Sequence, residues 1–325
     1  MDEGRFAEAV ALMGGLRDRT GRPLDMSSLV ASDDDGTFTC TFGHAPDELV
    51  DLRSVSKTVV ALTLGAAAGR GVLLGGRPIE PDLPILPTLR DLGLVDGGVD
   101  PAWEQVRLWH LLNNTIGHDQ GFLFREELRG RDLDDLLTYV LVHPLAHEPG
   151  AHFSYSNAGA YLASVLLQAG TGRRLSAWAG ELVLHPLGVS RFEWRALGRF
   201  DAGCTGLRLD GDGAHRLARL LLDDGRFDGR ELVPASWCDL MRSPLTGTPD
   251  LCDASATLPK RAYGLGLWIS TDGIYYGEGS DGQYAVVVPH LGLAITTLGR
   301  QADLAPITRA MAPLIARRTP PHTNR

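Results

Sequence analysis

Lysine is almost missing from this chain of 325 residues: Lys57 and Lys260 stand against 29 arginines. A lysine retained under such a bias has to do what arginine cannot, and losing a proton is the chemical act denied to arginine. Basic charge is short in general. The 31 Lys and Arg face 40 Asp and Glu, a formal net charge of −9, and the arginines are scattered, which argues against a nucleic-acid binder. Long hydrophobic runs are absent. The longest apolar stretch, Val59 to Ala68, is too short to span a bilayer, so no membrane association is expected. The N-terminus, Met1-Asp2-Glu3-Gly4-Arg5-Phe6, has neither a basic n-region nor an apolar h-region. It does not read as a signal peptide, and a cytoplasmic protein is the expectation. Cys40, Cys204, Cys238 and Cys252 show no paired metal spacing and no redox CxxC, so they are expected to be free thiols of a reducing compartment. No Gly-x-Ser-x-Gly elbow occurs, which argues against an α/β-hydrolase. No internal repeat is visible, and the low-complexity content is limited to a polar tail at Thr319 to Arg325.

What is present reads as an ordinary globular protein with material for two domains or one large one. Residues 5–16 predict a short amphipathic helix. Residues 28–31 and 37–42 predict two strands joined by the tight turn Asp33-Asp34-Asp35-Gly36. A helix is expected from about Ser54 to Gly69, apolar on every face and therefore buried. The Pro- and Gly-rich stretch 75–100 leads into helical patches at 109–112, 133–142, 158–169 and 176–184. Two more helices are expected at 210–222 and 234–241, then strands at 264–269, 273–276, 284–288 and 293–298, and a last helix over 304–316. Strands at both chain ends imply one antiparallel sheet flanked by helices, an α+β fold with a mostly helical domain inserted. The expected division is 1–70 plus 201–325 for the sheet domain and 71–200 for the helical one.

Three strings carry chemistry. In Arg53-Ser54-Val55-Ser56-Lys57-Thr58, Ser54 and Lys57 lie one helical turn apart on one face. The free N–H groups and positive end of the helix surround Ser54. An amine in a dry interior gives up its proton more readily, so Lys57 is the candidate base and Ser54 the candidate nucleophile. The bland alternative is an N-cap serine and an exposed lysine; Lys57 interrupting an apolar helix speaks against it. In Tyr155-Ser156-Asn157, Asn157 is either an N-cap or a group that fixes the lysine head and the acyl dipole, and Tyr155 either a core aromatic or a proton shuttle. Tyr276-Gly277-Glu278-Gly279-Ser280-Asp281-Gly282-Gln283 matches GxGxxG in spacing but leads into a strand rather than a helix, so a dinucleotide site is rejected in favour of close ligand approach to the backbone. His143-x-x-x-His147 with His152 invites a zinc reading. Pro144 and Pro149 break the helix that would align such ligands, so no metal and no cofactor is expected. His118-Asp119 reads as a loop position.

The three strings, in this order and spacing, resemble the serine β-lactamase-like superfamily of class C β-lactamases, DD-peptidases, esterases and transesterases. Leu111-Leu112-Asn113-Asn114-Thr115-Ile116-Gly117-His118, Pro149-Gly150 and His185-Pro186-Leu187-Gly188 are similar to further strings of that family, and the likeness covers about residues 28–300. The resemblance implies a mixed antiparallel sheet flanked by helices, plus a helical domain, with the site between them. It makes Ser54 the nucleophile, Lys57 its base and Tyr155 the shuttle, with the Ser54 and Ser280 backbone N–H groups as oxyanion hole and Asn157 and Gly279 at the substrate. Penicillin-recognising members place Lys or His at the start of the third string; here Gly277-Glu278-Gly279 stands there. Glu278 is expected to repel a carboxylate, favouring neutral or cationic acyl substrates over β-lactams. The expected partner is a small-molecule ester or amide, with water or an amine as acceptor. The rivals are a transacylase or amide synthase, a β-lactamase or DD-peptidase, and an inactive sensor on the same fold.

Overall fold

The computed structural model describes residues 2–18, 20–301 and 304–316; the polar tail at 319–325 lies outside them. Eight strands form the main sheet: β1 (Met26–Asp33), β2 (Gly36–Thr41), β3 (Thr246–Gly247), β4 (Ala262–Tyr263), β5 (Trp268–Ile269), β6 (Tyr275–Glu278), β7 (Tyr284–Val288) and β8 (Leu293–Gly299). Their order across the sheet is β3-β4-β5-β6-β7-β8-β1-β2, and neighbours pair antiparallel throughout. The first two strands therefore dock on the last, with Leu29 opposite Thr297 and Ala31 opposite Ile295. The fold is α+β, as the sequence pattern implies.

Strand alternation sends side chains to two separate cores. Leu29, Ala31, Tyr276, Tyr284, Val286, Val288 and Ile295 meet α1 (Glu3–Gly15) and the C-terminal helix Ala305–Ile315 through Phe6, Met13, Ile307 and Met311. Tyr275, Ala285, Val287, Ala294 and Leu298 face the larger core. That core holds α2 (Ser56–Gly69), in which Ser56 to Ala67 are all buried. Packing, not one-sided amphipathicity, stabilises such a helix. The segment 71–200 contributes α3 (Leu108–Asn113), α4 (Leu136–Val142) and α5 (Ala158–Thr171), among other helices. Among the described residues no helix is long and apolar enough to cross a membrane, and all four cysteines are free.

One strand departs from expectation. Residues 264–267 are not extended but turn β4 back into β5. Gly264 N–H donates to the Leu267 carbonyl at 2.9 Å, and Gly266 takes φ +75°. Leu265 and Leu267 imitate strand alternation because both are buried, yet the hairpin needs a residue with positive φ, which glycine supplies.

Candidate active site

Ser54 sits in a single 3-10 turn, Arg53–Val55, that leads into α2. Lys57 Nζ donates to Ser54 Oγ at 3.0 Å, to Asn157 Oδ1 at 2.6 Å and to the Cys204 carbonyl at 3.3 Å. The lysine is only 3% exposed, and the oxygens it meets are neutral; among the described residues no carboxylate pairs with it. In its neutral form this amine has one hydroxyl within reach from which to take a proton, that of Ser54. The thiol of Cys204 is no rival nucleophile, since burial pushes it up to about 11.

The Tyr155-Ser156-Asn157 string divides its labour. Ser156 starts α5, its Oγ accepting from the Ala158 and Phe122 N–H groups at 3.0 and 2.9 Å. Asn157 is thereby released from capping. Its Oδ1 holds Lys57, while its Nδ2 donates to the Leu123 carbonyl at 2.8 Å. Leu123 itself takes φ +64°, an uncommon conformation for a leucine. Tyr155 reaches the site through its ring: Lys57 Nζ lies 5.0 Å from the ring centroid, and Trp268 stacks on the ring at 5.4 Å and 20°. The Tyr155 hydroxyl makes no hydrogen bond to Ser54 or Lys57. The nearby Tyr263 is no alternative shuttle, because full burial holds its phenol well above the ordinary range.

Ser280 and Gly279 close the other wall. A β-carbon on Gly279 would lie 2.7 Å from the Leu52 carbonyl, so only glycine lets the end of β6 come this near the turn that carries Ser54. Among the described residues neither the Ser54 nor the Ser280 backbone N–H has an acceptor. Arg53 ties the two walls together. Its Nε donates to Asp281 Oδ2 at 2.7 Å, its guanidinium donates to Asp51 Oδ2 at 3.0 Å, and its N–H donates to Asp51 Oδ1 at 2.8 Å. This holds Arg53 at φ +50°, directly before Ser54. The motifs did not show Arg53 and Asp281; adjacency to Ser54 and Ser280 was the only signal available.

Ser54, Tyr155, Asn157 and Ser280 open onto one hollow of about 460 Å³, walled further by Leu123, Phe124, Arg125, Arg195 and Thr205. The model of the Beta-lactamase family matches residues 28–319, nearly the whole chain. The chain belongs to the beta-lactamase family. The esterase EstB of Burkholderia gladioli is 34% identical over 157 residues, 44% of this chain and 38% of that protein, so the match spans well under half of that relative's length. Two solved structures share the fold. One is the octameric penicillin-binding protein homologue from Pyrococcus abyssi, with a TM-score of 0.73 at 18% identity over 97% of this chain and 78% of that one. The other is EstCE1, described as a hydrolase with promiscuous acyltransferase activity, with a TM-score of 0.73 at 15% identity over 95% and 99%.

Against this family background Glu278 requires a correction. It does not face the Ser54 hollow. Its Oε1 accepts from Lys260 Nζ at 2.6 Å and its Oε2 from the Tyr284 hydroxyl at 3.1 Å, and it lines a separate hollow with Lys260, Tyr284 and Arg309. The physical reason is strand parity. Glu278 shares the face of Tyr276 in β6, and that face belongs to the core under α1, not to the side of α2. Neutralised and turned away, Glu278 gives no ground for repelling a substrate carboxylate.

Proposed function

We propose that this beta-lactamase-family chain is a serine acyl-enzyme that hydrolyses or transfers the acyl group of a small ester or amide. The observation carrying this reading is the Lys57 Nζ to Ser54 Oγ contact at 3.0 Å, with Asn157 holding the amine from the far side. Lys57 takes the hydroxyl proton as Ser54 Oγ bonds to the acyl carbon. The Ser54 and Ser280 N–H groups receive the oxyanion, and Tyr155 hands a proton to the departing alcohol or amine. Water, or an amine or alcohol, then attacks the acyl-enzyme. The esterase relative and the acyltransferase neighbour support both outcomes. The proposed two-part division, 1–70 with 201–325 and 71–200, sets this site where the parts meet, since Ser54 comes from one and Asn157 from the other. The test is intact-mass measurement after exposure to nitrophenyl esters, a fluorophosphonate and a penicillin. A single adduct on Ser54 supports the reading; labelling of another serine overturns it.

Tyr155→Phe separates the hydroxyl from the ring. Phenylalanine keeps the stacking on Trp268 and the face presented to Lys57, so the melting temperature should stay near the native value. The acylation rate should fall about 10²-fold, the lower end for general acid–base catalysis. Full activity per folded molecule would reduce Tyr155 to a packing residue.

Charge in the hollow gives a further expectation. Arg53 is occupied by Asp51 and Asp281, whereas Arg125 and Arg195 face the same space as Glu126 and outnumber it, with no acid partner for either arginine among the described residues. Acyl donors carrying a remote carboxylate should therefore be accepted at least as well as neutral ones. Arg195→Ala should lower kcat/KM for a nitrophenyl hemisuccinate about tenfold relative to a nitrophenyl butyrate, the size of one charge-assisted contact. An unchanged ratio between the two esters would rule out that contact.

A further inference from the structure

Two features set aside as chemically idle in the sequence, His118-Asp119 and the histidines of 143–152, come together in an unforeseen pairing. Asp119, His147 and His152 each offer a ligand atom, and these atoms lie within 4.8 Å of one another. Asp119 Oδ1 is 3.3 Å from His147 Nε2, and the His147 and His152 rings stack at 4.2 Å and 28°. His143, the other half of the supposed His-x-x-x-His pair, is not part of the group; its Nδ1 lies 2.6 Å from the Tyr139 carbonyl. The helical template that argued against zinc is thus beside the point, because two loops supply the ligands.

We propose that Asp119, His147 and His152 bind a divalent transition ion, zinc being the best fit. Two imidazoles and one carboxylate form a donor set suited to zinc with solvent in the fourth position. Ligands bonded to zinc at ~2.0–2.1 Å and at tetrahedral angles stand roughly 3.3 Å apart, which is the separation of Asp119 and His147. The third ligand needs only a side-chain adjustment, since the backbones are already fixed. His147 N–H donates to the Gly117 carbonyl at 3.0 Å, and Gly150 N–H to the Thr115 carbonyl at 2.8 Å. The loops approach so closely that a β-carbon on Gly117, at φ +113°, would lie 2.4 Å from the His147 carbonyl oxygen. Pre-organised backbones confine the cost of binding to the side chains.

None of the three ligands lines the Ser54 hollow, so the ion is a clamp and not a Lewis acid for the acyl group. The clamp has a route to the site. Asn114, at the start of the first loop, accepts from Ser154 N–H through its carbonyl at 3.0 Å and from Ser156 N–H through Oδ1 at 3.1 Å. Closing the two loops fixes the segment that carries Tyr155 and Asn157.

The experiment uses the full chain without a histidine tag, stripped with chelator and titrated with zinc against a fluorescent competitor, with cobalt absorption as a second readout. One equivalent per chain with micromolar affinity is expected, and His147→Ala and His152→Ala should each weaken it at least tenfold while circular dichroism stays native. At a hundredfold excess over the native Kd, zinc should raise the native melting temperature by about 4 °C and that of His152→Ala by no more than about half as much. Affinity weaker than about 100 µM, or stoichiometric binding that survives both histidine variants, would overturn the site. Either result leaves the Ser54 reading untouched, because acylation of Ser54 is measured separately in metal-free protein.

Discussion

Ser54→Ala should leave a folded protein that forms no covalent adduct and has lost on the order of 10⁴-fold or more of its turnover, the scale on which removal of an activated serine acts. The substitution removes one half-buried hydroxyl whose only hydrogen-bond partner among the described residues is Lys57. The 3-10 turn survives, because Arg53 fixes it through Asp51 and Asp281. Lys57 retains Asn157 and the Cys204 carbonyl, so the buried amine keeps hydrogen-bond acceptors. Circular dichroism and melting would report the intact fold, and intact mass after fluorophosphonate the missing adduct. An adduct that persists in the alanine variant would move the nucleophile elsewhere.

The second large effect is expected at Lys57. Lys57→Arg should be nearly as damaging as Lys57→Ala, each losing about 10²–10⁴-fold in acylation, the usual range for general-base catalysis. Arginine keeps a positive charge and can still donate to Asn157 and Cys204, but it cannot accept a proton. The comparison therefore separates proton transfer from charge. A merely structural or electrostatic lysine would be rescued in part by arginine. Single-turnover rates with a nitrophenyl ester, read as release of nitrophenolate, decide the matter, and near-native acylation in the arginine variant would remove Lys57 from the role of base.

Much of the site was legible because its residues are close in sequence or in recognisable strings. Ser54 and Lys57 are three apart, Lys57 on a helix whose apolar character announces burial and Ser54 in the 3-10 turn that leads into it, and the structure joins them directly. The sheet built from both chain ends was legible from strand alternation at 28–42 and 284–298. Legibility failed where long-range pairing or strand parity decided. Glu278 was read as facing substrate because Gly277-Glu278-Gly279 stands where penicillin-recognising relatives carry Lys or His, but only the sheet's register shows that its face belongs to the other core, and only folding brings Lys260 and Tyr284 to it. Residues 264–267 failed because buried leucines at alternate positions suit a strand and a hairpin equally. Arg53 with Asp281, and Asp119 with His147, are partners far apart in the chain that no local pattern announces.

The placement of β1 between β2 and β8 also has a consequence on the ribosome. The hairpin of β1 and β2 leaves the exit tunnel early, yet the strand that covers its open edge is Leu293–Gly299. At ~5–20 residues per second, the hairpin waits from roughly a quarter of a minute to a minute for that partner. Throughout that interval Leu29 and Ala31 lack the helix and strand that later bury them, and an unpaired edge invites association between nascent chains. The Ser280 wall arrives in the same late segment, so Ser54 and Lys57 meet water long before they meet the backbone of Gly279 and Ser280. Synthesis thus delivers the Ser54–Lys57 pair first and the wall opposite it last, and on the proposed function acylating activity would report that the final strand has closed the sheet.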